Sequence, residues 1–135
     1  MTYAPPAPSP TDIVAARFHE LCSLGKFQQA MAELYADNAR HVEAMEFPGS
    51  DCKRITEGKP ALTAQSERFN RTTTVHSSHV SKPLVNGDQF VCEMTMDCTS
   101  TEGPMANERM TMKETCLYTV KNNKITEAKF FYACG

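Results

Sequence analysis

The feature that most constrains this chain is a change in hydrophobic period along it. Up to about residue 38 apolar residues recur every three or four positions, whereas most of the chain beyond Thr72 alternates every second residue. Those periods belong to helix and strand respectively. Gln89 to Ser100 alternates cleanly, with Phe90, Cys92, Met94, Met96 and Cys98 on one face. Arg109 to Val120 does the same, with Met110, Met112, Glu114, Cys116, Tyr118 and Val120 together. Helices grouped ahead of a long antiparallel meander predict an α+β fold and argue against a parallel α/β sheet.

Earlier segments fill in that plan. Residues 1–10 hold four prolines and predict an extended, poorly ordered arm, with the folded domain running from 11 to 135. Thr11-Asp12 offers an N-cap. Ile13, Ala16, Phe18, Leu21 and Cys22 then mark a helix face ending near Gly25. A second helix carries Phe27, Ala30, Met31 and Leu34-Tyr35, and Ala36-Asp37-Asn38 breaks it. His41, Glu43, Met45 and Phe47 share one face of a first short strand over residues 39–47. Pro60 suits the first turn of a third helix, with Ala61, Leu62, Gln65 and Phe69 on its apolar face and Lys59, Arg68 and Arg71 on its solvated one. Thr74 to Val85 reads as an irregular strand, Asn86-Gly87 as a hairpin turn, and Asn122-Asn123 as the turn into a last strand over residues 125–133.

Composition narrows the function classes. A chain of 135 residues with a formal charge of −2 is one domain without the basic excess of a nucleic-acid-binding surface. No apolar run approaches the roughly 18 residues of a membrane span, and the N-terminal stretch lacks the basic flank and apolar segment of a secretory signal. The expectation is a cytoplasmic protein that contacts neither nucleic acid nor membrane. Phosphate-binding glycine motifs and a nucleophile elbow are missing from the sequence, and no cofactor is expected.

Sulfur is abundant: six Cys and eight Met against no Trp. The cysteines show no Cys-x-x-Cys spacing, and Cys92 and Cys98, six apart on one strand, stand roughly 20 Å from each other. They read as buried thiols on an apolar surface. His76-x-x-His79 has a metal-like look, but three residues apart on a strand places the rings on opposite faces, and no metal site is expected. His19, beside Glu20, reads as solvent-facing.

Glu114 interrupts the apolar stripe between Met112 and Cys116. An unpaired carboxylate there is costly, so Glu114 must find a partner, hold its proton, or reach water in a cavity. Glu43 poses the same question on the first strand. Either both acids point into one pocket as candidate general bases, or each makes a salt bridge, with Arg109 or Arg40 as partner. His41 or His76 could shuttle a proton or orient a carboxylate, and Tyr132 could donate to a substrate oxygen. The candidate pocket lining is Met94, Met96, Met110 and Met112 on the long strands. Phe18, Met45, Tyr118 and Phe130 are expected to complete it.

Several of these stretches resemble one family. Leu34-Tyr35-Ala36-Asp37-Asn38-Ala39 after two helices, and Glu57-Gly58-Lys59-Pro60-Ala61-Leu62 opening the third, are similar to SnoaL-like proteins of the nuclear transport factor 2-like superfamily. So are Asn86-Gly87-Asp88-Gln89-Phe90, Glu108 to Glu114, and the run from Tyr118 to Tyr132. The resemblance implies a cone-shaped α+β barrel, three helices on a strongly curved, mainly antiparallel sheet, and a homodimer with a pocket for an apolar small molecule. Polyketide cyclases, steroid isomerases, dehydratases and non-catalytic modules share that fold, so fold does not select among them. Counted from the Leu-Tyr-Ala-Asp motif, the catalytic aspartate of the steroid isomerases falls on Glu43. Their oxyanion-donor tyrosine falls on Phe18, and their second donor near Thr115 or Cys116. The resemblance therefore implies a small-molecule-binding protein or, alternatively, an isomerase, cyclase or dehydratase with a pocket carboxylate as base.

Overall fold

The computed structural model describes residues 4–46 and 53–133. Phe47, Cys52 and Cys134 lie outside the described residues. Helix α1 (Pro10–Ser23) and helix α2 (Phe27–Leu34) are followed by strand β1 (Tyr35–Val42), strand β2 (Ile55–Glu57) and helix α3 (Lys59–Thr72). The rest is strand: β3 (Thr73–Val80), β4 (Leu84–Asn86), β5 (Gln89–Ser100), β6 (Arg109–Lys121) and β7 (Lys124–Phe131). All seven belong to one sheet in the order β2-β1-β7-β6-β5-β3, with β4 also on β5. Among the described residues only the β1–β7 pairing is parallel. The α+β class and the three helices on a curled, mainly antiparallel sheet are as the periodicities predict. The sheet is not closed into a barrel, because its two edge strands, β2 and β3, do not pair with each other.

Helix α1 starts earlier than Thr11-Asp12. Ser9 is its N-cap: the Ser9 hydroxyl accepts from the Asp12 backbone N–H at 3.1 Å, and Asp12 accepts from the Ser9 N–H at 2.7 Å. This reciprocal pair satisfies two N-terminal backbone donors, and Pro10 needs no partner at the first helical position. Ser9→Ala is expected to destabilise the protein by about 1 kcal/mol, read from a denaturant midpoint with unchanged slope. The helix ends in a double bond over Gly25 (φ 73°), with Gly25 N–H to Cys22 C=O and Lys26 N–H to Leu21 C=O. That reversal needs the left-handed conformation glycine adopts freely. The buried stripe is Thr11, Val14, Ala15, Phe18, Leu21 and Cys22. Ile13 is 62% exposed and Ala16 is exposed as well, which corrects the expected face. Residues 11, 14, 15, 18, 21 and 22 keep the helical spacing, and Ile13 falls outside it despite its hydrophobicity.

Two further corrections concern the middle of the chain. Tyr35 to Asn38 do not end a helix and begin a turn; they open β1, which runs parallel to β7 with an irregularity between Tyr35 and Arg40. β1 stops at Val42, so Glu43 and Met45 follow the strand instead of continuing it. Strand β2, which pairs Ile55 with Val42, carries no alternation long enough to detect. Lys59 belongs to packing as well as surface: its Nζ donates to the Ala32 and Tyr35 carbonyls at 2.7 and 3.3 Å, satisfying acceptors at the C-terminus of α2. His19 is also not free in solvent, since its Nε2 lies 3.3 Å from the Val80 carbonyl of β3.

The turns fall where expected. Gly87 (φ 61°) opens the two-residue loop between β4 and β5. Asn122 (φ 50°) and Asn123 (φ 64°) form the β6–β7 loop, where asparagine tolerates the positive φ that a tight hairpin needs. No described helix is long and apolar enough to cross a membrane.

Candidate functional site

The β5–β6 register places the sulfur stripe in one column. Phe90 faces Tyr118, Cys92 faces Cys116, Met94 faces Glu114, Met96 faces Met112, and Cys98 faces Met110. Helices cover this column unevenly. At the Phe90 end, Phe18 of α1 sits 4.6 Å from the Tyr118 ring centre and 5.6 Å from that of Phe90, and Phe90 and Tyr118 stack at 4.8 Å. All three are buried. Phe18 and Tyr118 are thus core, not pocket lining: aromatic rings at these separations fill the space a ligand would need. Farther along, the stripe emerges, and Met112 is 44% exposed.

Between these ends lies a cavity of about 110 Å³. Met94, Met96, Met112 and Glu114 form its floor, Phe27 of α2 and Phe69 of α3 its roof, and Ser78, His79 and Val80 of β3 one side. Phe27, Phe69 and Ser78 are not among the expected lining residues. Each helical phenylalanine is visible as an apolar-face residue, but its neighbours across the cavity depend on how the helices cross the sheet. Met110 lies beside Cys98, outside this cavity, and Met45 follows β1 without lining it. A wider, open hollow of about 540 Å³ borders Asp37, Lys59 and Glu67 at the start of α3 and holds none of the candidate residues.

The two acids feel each other's charge, although only Glu114 lines the cavity. Burial and the charge of Glu43 push the Glu114 carboxyl up to about 7, against a weaker pull from Cys116, whose Sγ donates to Glu114 Oε1 at 3.8 Å. Neither expected salt bridge exists. Arg40 binds Glu127 at 2.6 Å and Arg109 binds Asp97 at 2.8 Å, both on strand surfaces. Glu43 accepts from the Tyr132 hydroxyl at 3.2 Å. Burial raises Glu43 above the usual carboxylate range, and the Tyr132 bond opposes that rise. Tyr132→Phe is therefore expected to move Glu43 further up, visible as a later loss of its protonated carboxyl stretch in infrared titration.

The histidines separate. His41 is largely buried, which lowers it to about 4 and leaves the ring neutral at physiological pH. Its Nε2 shares a hydrogen bond of 2.7 Å with the Tyr35 hydroxyl, and its ring meets Phe130 edge-on at 4.9 Å. Tyr35 carries no pattern that would single it out, because its strand starts where the helical period of the sequence is still running. His76 stays apart from the acids: it is exposed at an irregularity of β3 and lies 2.9 Å from Thr99 Oγ1, near Asp97. Among the described residues no group of three His, Cys, Asp or Glu side chains could hold a metal ion.

Cys92, Cys98 and Cys116 of this column and Cys22 of α1 are all buried and unbridged. Burial and the neighbouring Cys92 raise Cys22 to about 12, and Cys116 is raised by its hydrogen bond with Cys92, by burial and by the charge of Glu114. Cys22 and Cys116 therefore stay protonated and serve as packing.

A model of the SnoaL-like domain matches residues 10–132. Among solved structures, a Mesorhizobium loti protein described as a candidate SnoaL-like polyketide cyclase, and also as a carbohydrate phosphatase, is 39% identical, with a TM-score of 0.80 over 89% of this chain and 97% of that one. A candidate polyketide cyclase from Pseudomonas putida is 16% identical, with a TM-score of 0.65 over 94% and 93% of the two chains. A nuclear transport factor 2-like protein of unknown function from Burkholderia pseudomallei is 11% identical, with a TM-score of 0.72 over 93% and 92%. The latter two share the fold alone. No curated protein matches significantly.

Proposed function

The chain belongs to the SnoaL-like domain family, and on that premise we propose that it binds an apolar small molecule bearing a carbonyl or enol oxygen, with Glu114 as the polar anchor. The observation that carries this is a carboxyl on the wall of a mainly apolar cavity, without a salt bridge among the described residues and pushed up to about 7. Near neutrality such a group donates a hydrogen bond when protonated and accepts one when ionised. A cavity of about 110 Å³ holds a small ring or short chain, and a larger ligand extends past the half-exposed Met112. Methionines suit that role because their side chains adapt to irregular apolar shapes.

A second reading is proton-transfer catalysis on the same ligand, favoured by the proximity of Glu43, whose charge helps keep Glu114 near neutral pH. A base or acid works best with a pKa near the working pH. Phe18 in place of an oxyanion-donor tyrosine weighs against steroid isomerisation in particular, because a phenylalanine cannot donate.

Native mass spectrometry of the purified chain tests the binding reading. The expected result is a co-purifying apolar molecule that is lost in Met94→Trp, which fills the cavity. A spectrum showing only the bare chain, with no uptake of aromatic ketones or enols added as probes, contradicts it. Turnover of a bound ketone or enol that stops in Glu114→Gln while binding persists would select the catalytic reading.

A further inference from the structure

The open end of the sulfur column contains more than an apolar lining. Cys98 and Met110 face each other across β5 and β6, and Met96 and Met112 face each other one step further along the same inner face. The Cys98 Sγ approaches the Met112 Sδ to 3.7 Å. Four sulfur-bearing residues thus occupy adjacent positions of two paired strands, and Met112 opens the group to solvent.

We propose that Cys98 and Met112, with Met96 or Met110 as a further ligand, form a binding site for a monovalent soft metal ion, Cu(I) by its chemistry. Thiolate and thioether ligands select Cu(I), whereas zinc prefers several thiolates or imidazoles, and hard cations take oxygen. Geometry supports it too. Metal–sulfur bonds of about 2.3 Å put two sulfurs of a three-coordinate ion about 4 Å apart, close to the Cys98–Met112 separation. Binding forms a metal–thiolate bond at Cys98, whose proton leaves to solvent. The ion stays Cu(I) and no electron moves. Thioethers supply most of the ligands, so the site differs in kind from a cluster of His, Cys, Asp and Glu. It shares Met96 and Met112 with the cavity but needs neither Glu114 nor an organic ligand.

The full chain, held without oxygen in ascorbate, is titrated against the coloured Cu(I) complex of bicinchoninate. The wild-type chain is expected to withdraw a single equivalent of Cu(I). Cys98→Ala is expected to lose that equivalent. Met112→Leu, which keeps the apolar surface, is expected to bind at least about tenfold more weakly, because loss of a ligand costs no less than loss of a supporting contact. Failure of the wild-type chain to take copper from the chelator overturns the proposal. So does unchanged affinity in either variant, which would place the metal on other thiols. Thermal melts accompany both variants. If Cys98→Ala does not fold, Met112→Leu decides alone, since its side chain is half-exposed. Uptake of aromatic probes by the copper-free wild-type chain separates this outcome from failure of the ligand-binding reading.

Discussion

Glu114→Gln is expected to stabilise the protein at pH 8 by roughly 3 kcal/mol, raising its melting temperature by about 10 °C. In the unfolded chain Glu114 titrates near its ordinary 4.5, and in the folded chain it is pushed up to about 7. Below pH 4.5 both states hold the proton, and the group costs nothing. As pH rises from 4.5 to 7 the unfolded chain releases the proton first, so stability is lost progressively, and above 7 the full penalty persists. A neutral amide removes that slope. Wild-type and variant melting curves should coincide at pH 4 and diverge steadily up to pH 7. A variant that melts lower than wild type at pH 8 would mean that Glu114 is stabilised by a partner as an anion.

Phe18→Ala is expected to cost about 3–5 kcal/mol, the usual range for removing a buried ring. Phe18 packs on both Tyr118 and Phe90, and the three rings close the narrow end of the sheet under α1. The loss should register as a lower denaturant midpoint, while the Glu114 cavity, lined by other residues, keeps its shape and its ligand. Reduced ligand affinity with unchanged stability would instead return Phe18 to the pocket.

These two residues show what is legible in the sequence. Glu114 stands out because strands β5 and β6 alternate strictly and pair in direct register, so one charged residue in an apolar column is visible from the sequence alone. The same alternation shows that Cys92, Cys98 and Cys116 share a face. It does not show where along that face the helices stop covering it. Phe18 and Tyr118 are therefore buried core, while Met112, on the same face, is half-exposed. That boundary depends on the crossing of α1, α2 and α3 over the sheet, which no local pattern encodes.

The coupling of Glu43 to Glu114 has a different origin. Its expected place on a continuing strand is wrong in detail, since β1 ends at Val42, yet Glu43 still turns inward and meets Tyr132 beyond the end of β7. The β1–β7 parallel pairing brings those two ends together, and parallel neighbours about ninety residues apart leave no short-range signal. The Tyr35–His41 bond spans only six residues, but the sequence reads Tyr35 as the end of a helix and so hides it. Tyr35 is strand because β7 pairs with it at Ile125, although the local sequence of residues 35–38 favours a break.

The central claim is that Glu114 is a carboxyl facing a mainly apolar cavity, without a salt bridge among the described residues, and direct titration of its side-chain carboxyl carbon by 13C NMR tests it. A midpoint near 7 that falls when Glu43 is replaced by Gln is the predicted result. A midpoint near 4.5, unaffected by Glu43→Gln, would contradict the account, because it would mean that the carboxyl is solvated or paired and the cavity lacks its polar anchor.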